Sequence, residues 1–154
     1  MKKITSFTVN HNTLEPGVYI SRVDENITTF DMRFVKPNTP PFLPNPVMHT
    51  IEHLFATYSR NSVYSDKVVY FGPMGCRTGF YFLVKDMDNK TSLQLIIDTI
   101  RQCMEHTGDI PGNTAIECGN YLEHDVPGAI ETLKKYYQTI KNYKTCQLDY
   151  NYNE

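Results

Sequence analysis

No two of the four cysteines, Cys76, Cys103, Cys118 and Cys146, form a CxxC pair, so neither a zinc knuckle nor a disulfide framework is indicated. The thiols are expected to be reduced, each either a small buried hydrophobe or a reactive or metal-binding group. Neither sign of charge dominates. Fifteen Lys and Arg against 17 Asp and Glu leave a net charge of -2, which gives no general attraction to phosphate backbones or anionic lipid. A nucleic-acid partner is therefore not expected. No window approaches a membrane span, and the opening MKKITSFTVN carries a basic pair without the apolar block and small-residue cleavage site of a signal peptide. A cytoplasmic protein with no membrane partner is the expectation. Internal repeats and domain linkers are also missing.

What remains is an ordinary globular composition, 40% apolar and 21% charged over 154 residues. A chain of this length removes roughly 70% of its unfolded surface from water and is read as one domain, residues 1–154. Three β-rich runs come first, ITSFTV at 4–9, GVYISRV at 17–23 and ITTFDMRFV at 27–35. In the third, Phe30, Met32 and Phe34 alternate with Thr29, Asp31 and Arg33, the period of a strand with one buried face, so Arg33 points away from the aromatic side. The stretch PNTPPFLPNP at 37–46 holds five of the nine prolines and is read as a loop.

Residues 47–62 contain no proline or glycine, and Val47, Ile51, Leu54, Phe55 and Tyr58 recur at helical spacing. KVVYFG at 67–72 and GFYFLVKD at 79–86 read as paired strands around GPMGCRTG, whose three glycines are expected to supply the unusual backbone angles. A second helix is predicted over 92–106, with Thr91 and Ser92 as capping candidates, Gly108 past its end and Cys103 in the core. After an irregular segment, AIETLKKYYQTIKNY at 129–143 reads as a third helix entered through Asp125 and Pro127, its lysines and tyrosines forming a solvated face. Strands followed by helices and further strands predict an α+β fold with a largely antiparallel sheet.

The chemistry concentrates in HTIEH. On a helix, residues four apart lie one above the other, so His49 and His53 can reach one ion at about 2.0–2.1 Å, with Glu52 near the same rim. The order HxxEH reverses that of the zinc proteases. A catalytic site needs a third protein ligand and an open position; Cys118, in the irregular ECGN loop, is the softest candidate. Cys76 is the other. It lies on a glycine-rich turn beside Arg77, where backbone amides and a cation can favour thiolate, which suits proton transfer. The plainer alternative is that the histidines are polar residues at the edge of a core-facing stripe and the cysteines small residues in tight turns.

SFTVNH, FDMRF, HTIEH, GPMGCRTGFY and CGNYLEHD occur in the order and approximate spacing of the S-ribosylhomocysteine lyases, and together they sample residues 6–125. The chain resembles that family. The resemblance implies a divalent metal held by His49, His53 and Cys118, ferrous iron with zinc as a substitute, and Cys76 and Glu52 as the acid/base pair. It implies that Arg33 positions substrate and Cys76. It also implies a homodimer with two interface sites, to which Ser6 and His11 come from the neighbouring subunit. The implied fold is a four-stranded antiparallel sheet with helices on one side. The implied reaction converts S-ribosylhomocysteine to homocysteine and 4,5-dihydroxy-2,3-pentanedione, the precursor of autoinducer-2. Two positions depart from the pattern: Tyr70 and Asn10 stand where aspartates are usual.

Two other readings use the same residues. HxxEH also marks inverted zinc peptidases, in which the third ligand is usually a carboxylate. A non-catalytic module with a structural zinc would need a closed set of four ligands, and Cys146 is the candidate for the fourth.

Overall fold

The computed structural model describes residues 1–152. Four strands, β1 (Gly17–Asp24), β2 (Ile27–Arg33), β3 (Val68–Pro73) and β4 (Gly79–Lys85), form one sheet in the order β1-β2-β4-β3, and every neighbouring pair is antiparallel. Three helices, α1 (Asn45–Arg60), α2 (Asn89–Met104) and α3 (Val126–Ile140), cover one face. The expected α+β architecture is present.

The alternation read in β2 continues across the sheet. Val18, Phe30, Met32, Phe80, Phe82 and Val84 point into a core completed by Ile51, Leu54 and Phe55 of α1, Ile96 and Ile100 of α2, and Leu133 and Ile140 of α3. Rings lock α1 to the sheet, with Phe55 stacked on Phe71 at a centroid distance of 4.1 Å. Cys103 is fully buried there, and burial pushes its thiol up, so it packs as a hydrophobe. Helix α3 reaches the far edge through Tyr136, whose hydroxyl donates to the Gly17 carbonyl at 2.8 Å.

Several expectations require correction. Residues 4–9 do not form a strand. Thr5–Phe7 is a single 3-10 turn whose hydrogen bonds close locally, Phe7 N–H to Ile4 and Thr8 N–H to Thr5, both at 3.0 Å. The unusual angle of the 72–79 turn falls on Arg77, at φ 60°, and on none of its glycines. Helix α2 starts earlier than predicted because Asp88 is its cap, accepting the Thr91 N–H at 2.8 Å; Thr91 and Ser92 belong to the first turn. Helix α3 likewise begins at Val126, with Asp125 accepting the Gly128 N–H at 2.9 Å. The second face of β2 is not solvated at its end, since Asp31 and Arg33 are both buried.

At that end, Arg33 pairs with Gly79 across the β2–β4 ladder, and a Cβ at Gly79 would run into the Met32 carbonyl oxygen. Backbone offers no flexible atom to give way. Gly79→Ala is expected to destabilise the fold by about 2 kcal/mol or more, read as a lower urea midpoint in chemical unfolding.

Candidate active site

Helix α1 enters from the proline-rich loop through Pro46 in its first turn and buries Val47, Met48, Ile51, Leu54 and Phe55. This leaves His49 and His53 on a flank facing the irregular segment between α2 and α3. That segment supplies what the histidines need. The Glu123 carbonyl lies 2.8 Å from His49 Nδ1 and the Pro111 carbonyl 2.8 Å from His53 Nδ1. A carbonyl only accepts, so both Nδ1 atoms carry the proton, and both Nε2 atoms turn a lone pair inward. Gly112, at φ 73°, allows the loop to pass close to His53, since a Cβ there would sit 3.3 Å from the ring.

Cys118 completes the approach. A turn in which Thr114 O accepts the Glu117 and Cys118 amides, both at 3.0 Å, places its Sγ 3.3 Å from His49 Nε2 and 3.8 Å from His53 Nε2. Two imidazole lone pairs and a thiol at these separations fit an ion bonded at about 2.0–2.1 Å to nitrogen and 2.3 Å to sulfur.

A fourth donor was not foreseen. His124 lies in the same group, all four ligand atoms being within 4.8 Å of one another. Its ring stacks on His49 with centroids 4.0 Å apart, and its buried Nε2 has no partner among the described residues. Thr50 Oγ1 lies 2.9 Å from the Pro46 carbonyl, to which it donates, and 3.0 Å from His124 Nδ1; it also accepts the Asp125 N–H at 3.0 Å. With its proton on Pro46, the hydroxyl accepts from His124, which therefore also presents Nε2 to the cluster. Burial, then neighbouring His49 and His53, hold His124 below the ordinary imidazole range, which favours the neutral ligand form. The one signal in the sequence was a histidine immediately before the Asp125 cap.

Beside the cluster is a shallow cavity of about 300 Å³ whose lining includes His49, Glu52, Gly75, Arg77 and Glu123. Glu52 and the turn flanking Cys76 thus face the same space. Cys76 is exposed, and its Sγ lies 3.0 Å from Thr78 Oγ1. Thr78 accepts from Arg33 Nη1 at 2.7 Å, so its own proton is free to point at the sulfur, while Arg33 Nη1 lies 4.0 Å from that sulfur. The cation serving Cys76 is therefore Arg33; Arg77 is directed to the Leu43 carbonyl and the Phe42 ring. Asp31 and Arg33 form a buried pair, with Arg33 Nη2 2.6 Å from Asp31 Oδ2. Burial works against the charged guanidinium, but Asp31, with Cys76 and Tyr150, outweighs it and raises the pKa of Arg33. Ser6 and His11 do not belong to the donor cluster. Ser6 lies beside Tyr81 and Tyr70 on the outer sheet face, and the His11 ring bonds the Val9 carbonyl at 2.9 Å.

The family model for S-ribosylhomocysteinase (LuxS) matches residues 4–147. The chain belongs to this family. It is 46% identical to an S-ribosylhomocysteine lyase of Borreliella burgdorferi, over 97% of this chain and 99% of that one. It is 45% identical to a protein of the same name from Clostridium acetobutylicum over the same shares, and 44% identical to one from Porphyromonas gingivalis over 94% and 95%.

For a LuxS-family chain, the donors that converge are the expected His49, His53 and Cys118, joined by His124. Neither competing reading draws support from these relatives. The third donor is a thiol where the peptidases use a carboxylate, and these relatives lend the peptidase no support. Cys146, exposed on the 3-10 turn Thr145–Leu148, is not among the donors; the fourth is His124, and what speaks against a non-catalytic module is that the relatives are named as lyases.

Thr50 locks His124 and ties α1 to the chain ahead of α3. Thr50→Val is expected to weaken metal binding about 10–100-fold, measured by competition against a chelator of known affinity, with the helix content unchanged.

Proposed function

We propose that the chain is a carbon–sulfur lyase that cleaves S-ribosylhomocysteine to homocysteine and 4,5-dihydroxy-2,3-pentanedione. The observation that carries the reading is the convergence of His49, His53 and Cys118 at a cavity shared with Glu52 and the Cys76 turn, in a chain of this family. The substrate's sulfur sits on the fifth sugar carbon, and a thioether is not expelled unaided. A carbonyl must first be moved from the first carbon to the third, so that the proton on the fourth becomes acidic and the sulfur lies β to the carbanion formed.

His49, His53 and Cys118 would hold a divalent ion, with His124 beside them in the same donor group; the ion would supply Lewis-acid stabilisation of negative charge on the sugar oxygens, worth several kcal/mol. Ferrous iron is the proposed resident, with zinc accepted by the same nitrogen and thiolate donors. Cys76 takes a proton from one sugar carbon and returns it to the next, once in each isomerisation. Arg33 and Thr78 place a cation and a hydroxyl proton at its sulfur. Glu52 moves the hydroxyl protons and removes the proton on the fourth carbon. The electron pair left behind expels homocysteine as its thiolate, and the enol formed then tautomerises to the diketone.

The working unit is proposed to be a homodimer in the cytoplasm, in which Ser6 and His11 serve the partner's site. A cavity of about 560 Å³ on the outer sheet face, lined by Ile4, Ile27, Tyr70, Tyr81 and Leu83 among others, offers an apolar surface for a second copy. Ile4, at 57% exposure, and Phe7, at 68%, lie uncovered in the single chain. Among the described residues no helix is long and apolar enough to cross a membrane.

Incubation with S-ribosylhomocysteine and a chromogenic thiol reagent tests the activity. Cys76→Ala is expected to lower turnover by about 100-fold or more while retaining metal, and near-parental activity would remove Cys76 from its role. Cys118→Ala should lose the ion, which elemental analysis reads directly. Leu83→Arg should convert a sedimenting dimer to monomer and abolish thiol release; a fully active monomer would refute the shared-site arrangement.

A further inference from the structure

The buried Asp31–Arg33 pair does not adopt the geometry that such pairs favour. Arginine and carboxylate frequently join through two parallel hydrogen bonds. Here one bond forms, Arg33 Nη2 to Asp31 Oδ2 at 2.6 Å, while Asp31 Oδ1 and Arg33 Nε are both buried without a partner among the described residues. Turning the carboxylate to meet Nε and Nη2 side-on would satisfy both orphaned atoms. Leaving them unmet is costly, so something holds the carboxylate away from that arrangement.

Tyr150 does so. Its hydroxyl donates to the same Oδ2 at 2.7 Å, across 119 residues of chain. Its ring stacks on buried Tyr19, with centroids 4.8 Å apart and planes 13° from parallel, and this fixes the approach. Burial, followed by the charge of Asp31, pushes the phenol up, so it remains a donor throughout the working pH range. On the other side of Arg33, Nη1 is engaged by Thr78 and directed at Cys76.

We propose that Tyr150, in the chain's last described turn and outside every motif, is a positioning residue for Cys76. By claiming Oδ2 it keeps Asp31 end-on to Arg33, and this leaves Nη1 on Thr78 and the Cys76 sulfur. Removing the hydroxyl lets the pair close side-on and draws the guanidinium off the sulfur. The importance of this for turnover rests on the acid/base role proposed for Cys76; its effect on the thiol does not.

Tyr150→Phe keeps the ring and its stacking. In the metal-loaded protein, site-resolved iodoacetamide labelling of Cys76 is expected to slow about threefold or more, as the thiolate loses its cation. The kcat should fall roughly tenfold with KM little changed, and the urea midpoint should stay level or rise as the pair closes. Tyr152→Phe, an exposed ring in the same tail, should leave all three at parental values. Unchanged labelling of Cys76 would overturn the inference, as would a midpoint that falls in step with activity, since that marks support of the fold alone. Absence of thiol release from parent and variant alike, with slowed labelling, would sink the lyase reading and leave the positioning role standing.

Discussion

The site depends on one constraint: main-chain carbonyls of a loop without regular structure fix the protons of two helix-borne imidazoles. Glu123 and Pro111 accept from the Nδ1 atoms of His49 and His53, so the lone pairs at Nε2 can only face inward, toward Cys118. Helix α1 provides the one-turn spacing. Rotation of either ring would exchange a donor for a proton and leave a carbonyl unmet. The long segment between α2 and α3 therefore acts as an orienting shell, and its lack of periodicity follows from having to present carbonyls, a thiol and His124 to a single point.

A second system sits at the end of the sheet. The β2–β4 ladder brings Arg33 opposite Gly79, one residue from Thr78, so strand register places the guanidinium at the Cys76 turn. Burial of Asp31 and Arg33 on the face away from the helices gives that face a polar end, beyond an apolar stretch around Tyr70, Tyr81 and Leu83. The converging donor cluster and the Cys76 thiol thus come from separate parts of the fold. The helical layer holds one and the sheet the other, and the shallow cavity between α1 and the 72–79 turn lies where the two layers meet.

Local pattern was enough for the regular elements and failed where hydrogen bonds compete. Period-2 alternation identified β2, and helical spacing identified α1, because each pattern reports which side chains face a core. ITSFTV carried the composition of a strand, yet it closes into a 3-10 turn that satisfies its own amides. Asp88 displaced Thr91 and Ser92 as the cap of α2 because a carboxylate one turn earlier reaches the free amide of Thr91. In the 72–79 turn, counting glycines misplaced the strained residue, since the positive φ belongs to Arg77.

Sequence alone determined the helix that aligns His49 with His53, the candidacy of Cys118 and Cys76, and the core position of Cys103, because these follow from neighbours within a few residues or from motifs of fixed spacing. Tertiary structure decided the rest: the tautomers of the histidines, the entry of His124 into the donor group, the burial of Asp31 with Arg33, and the reach of Tyr150 to that pair. Each of these is settled by a contact spanning 45 to 119 residues. A side chain's local pattern reports which way it faces; its partner across such a distance is fixed only when the chain closes on itself.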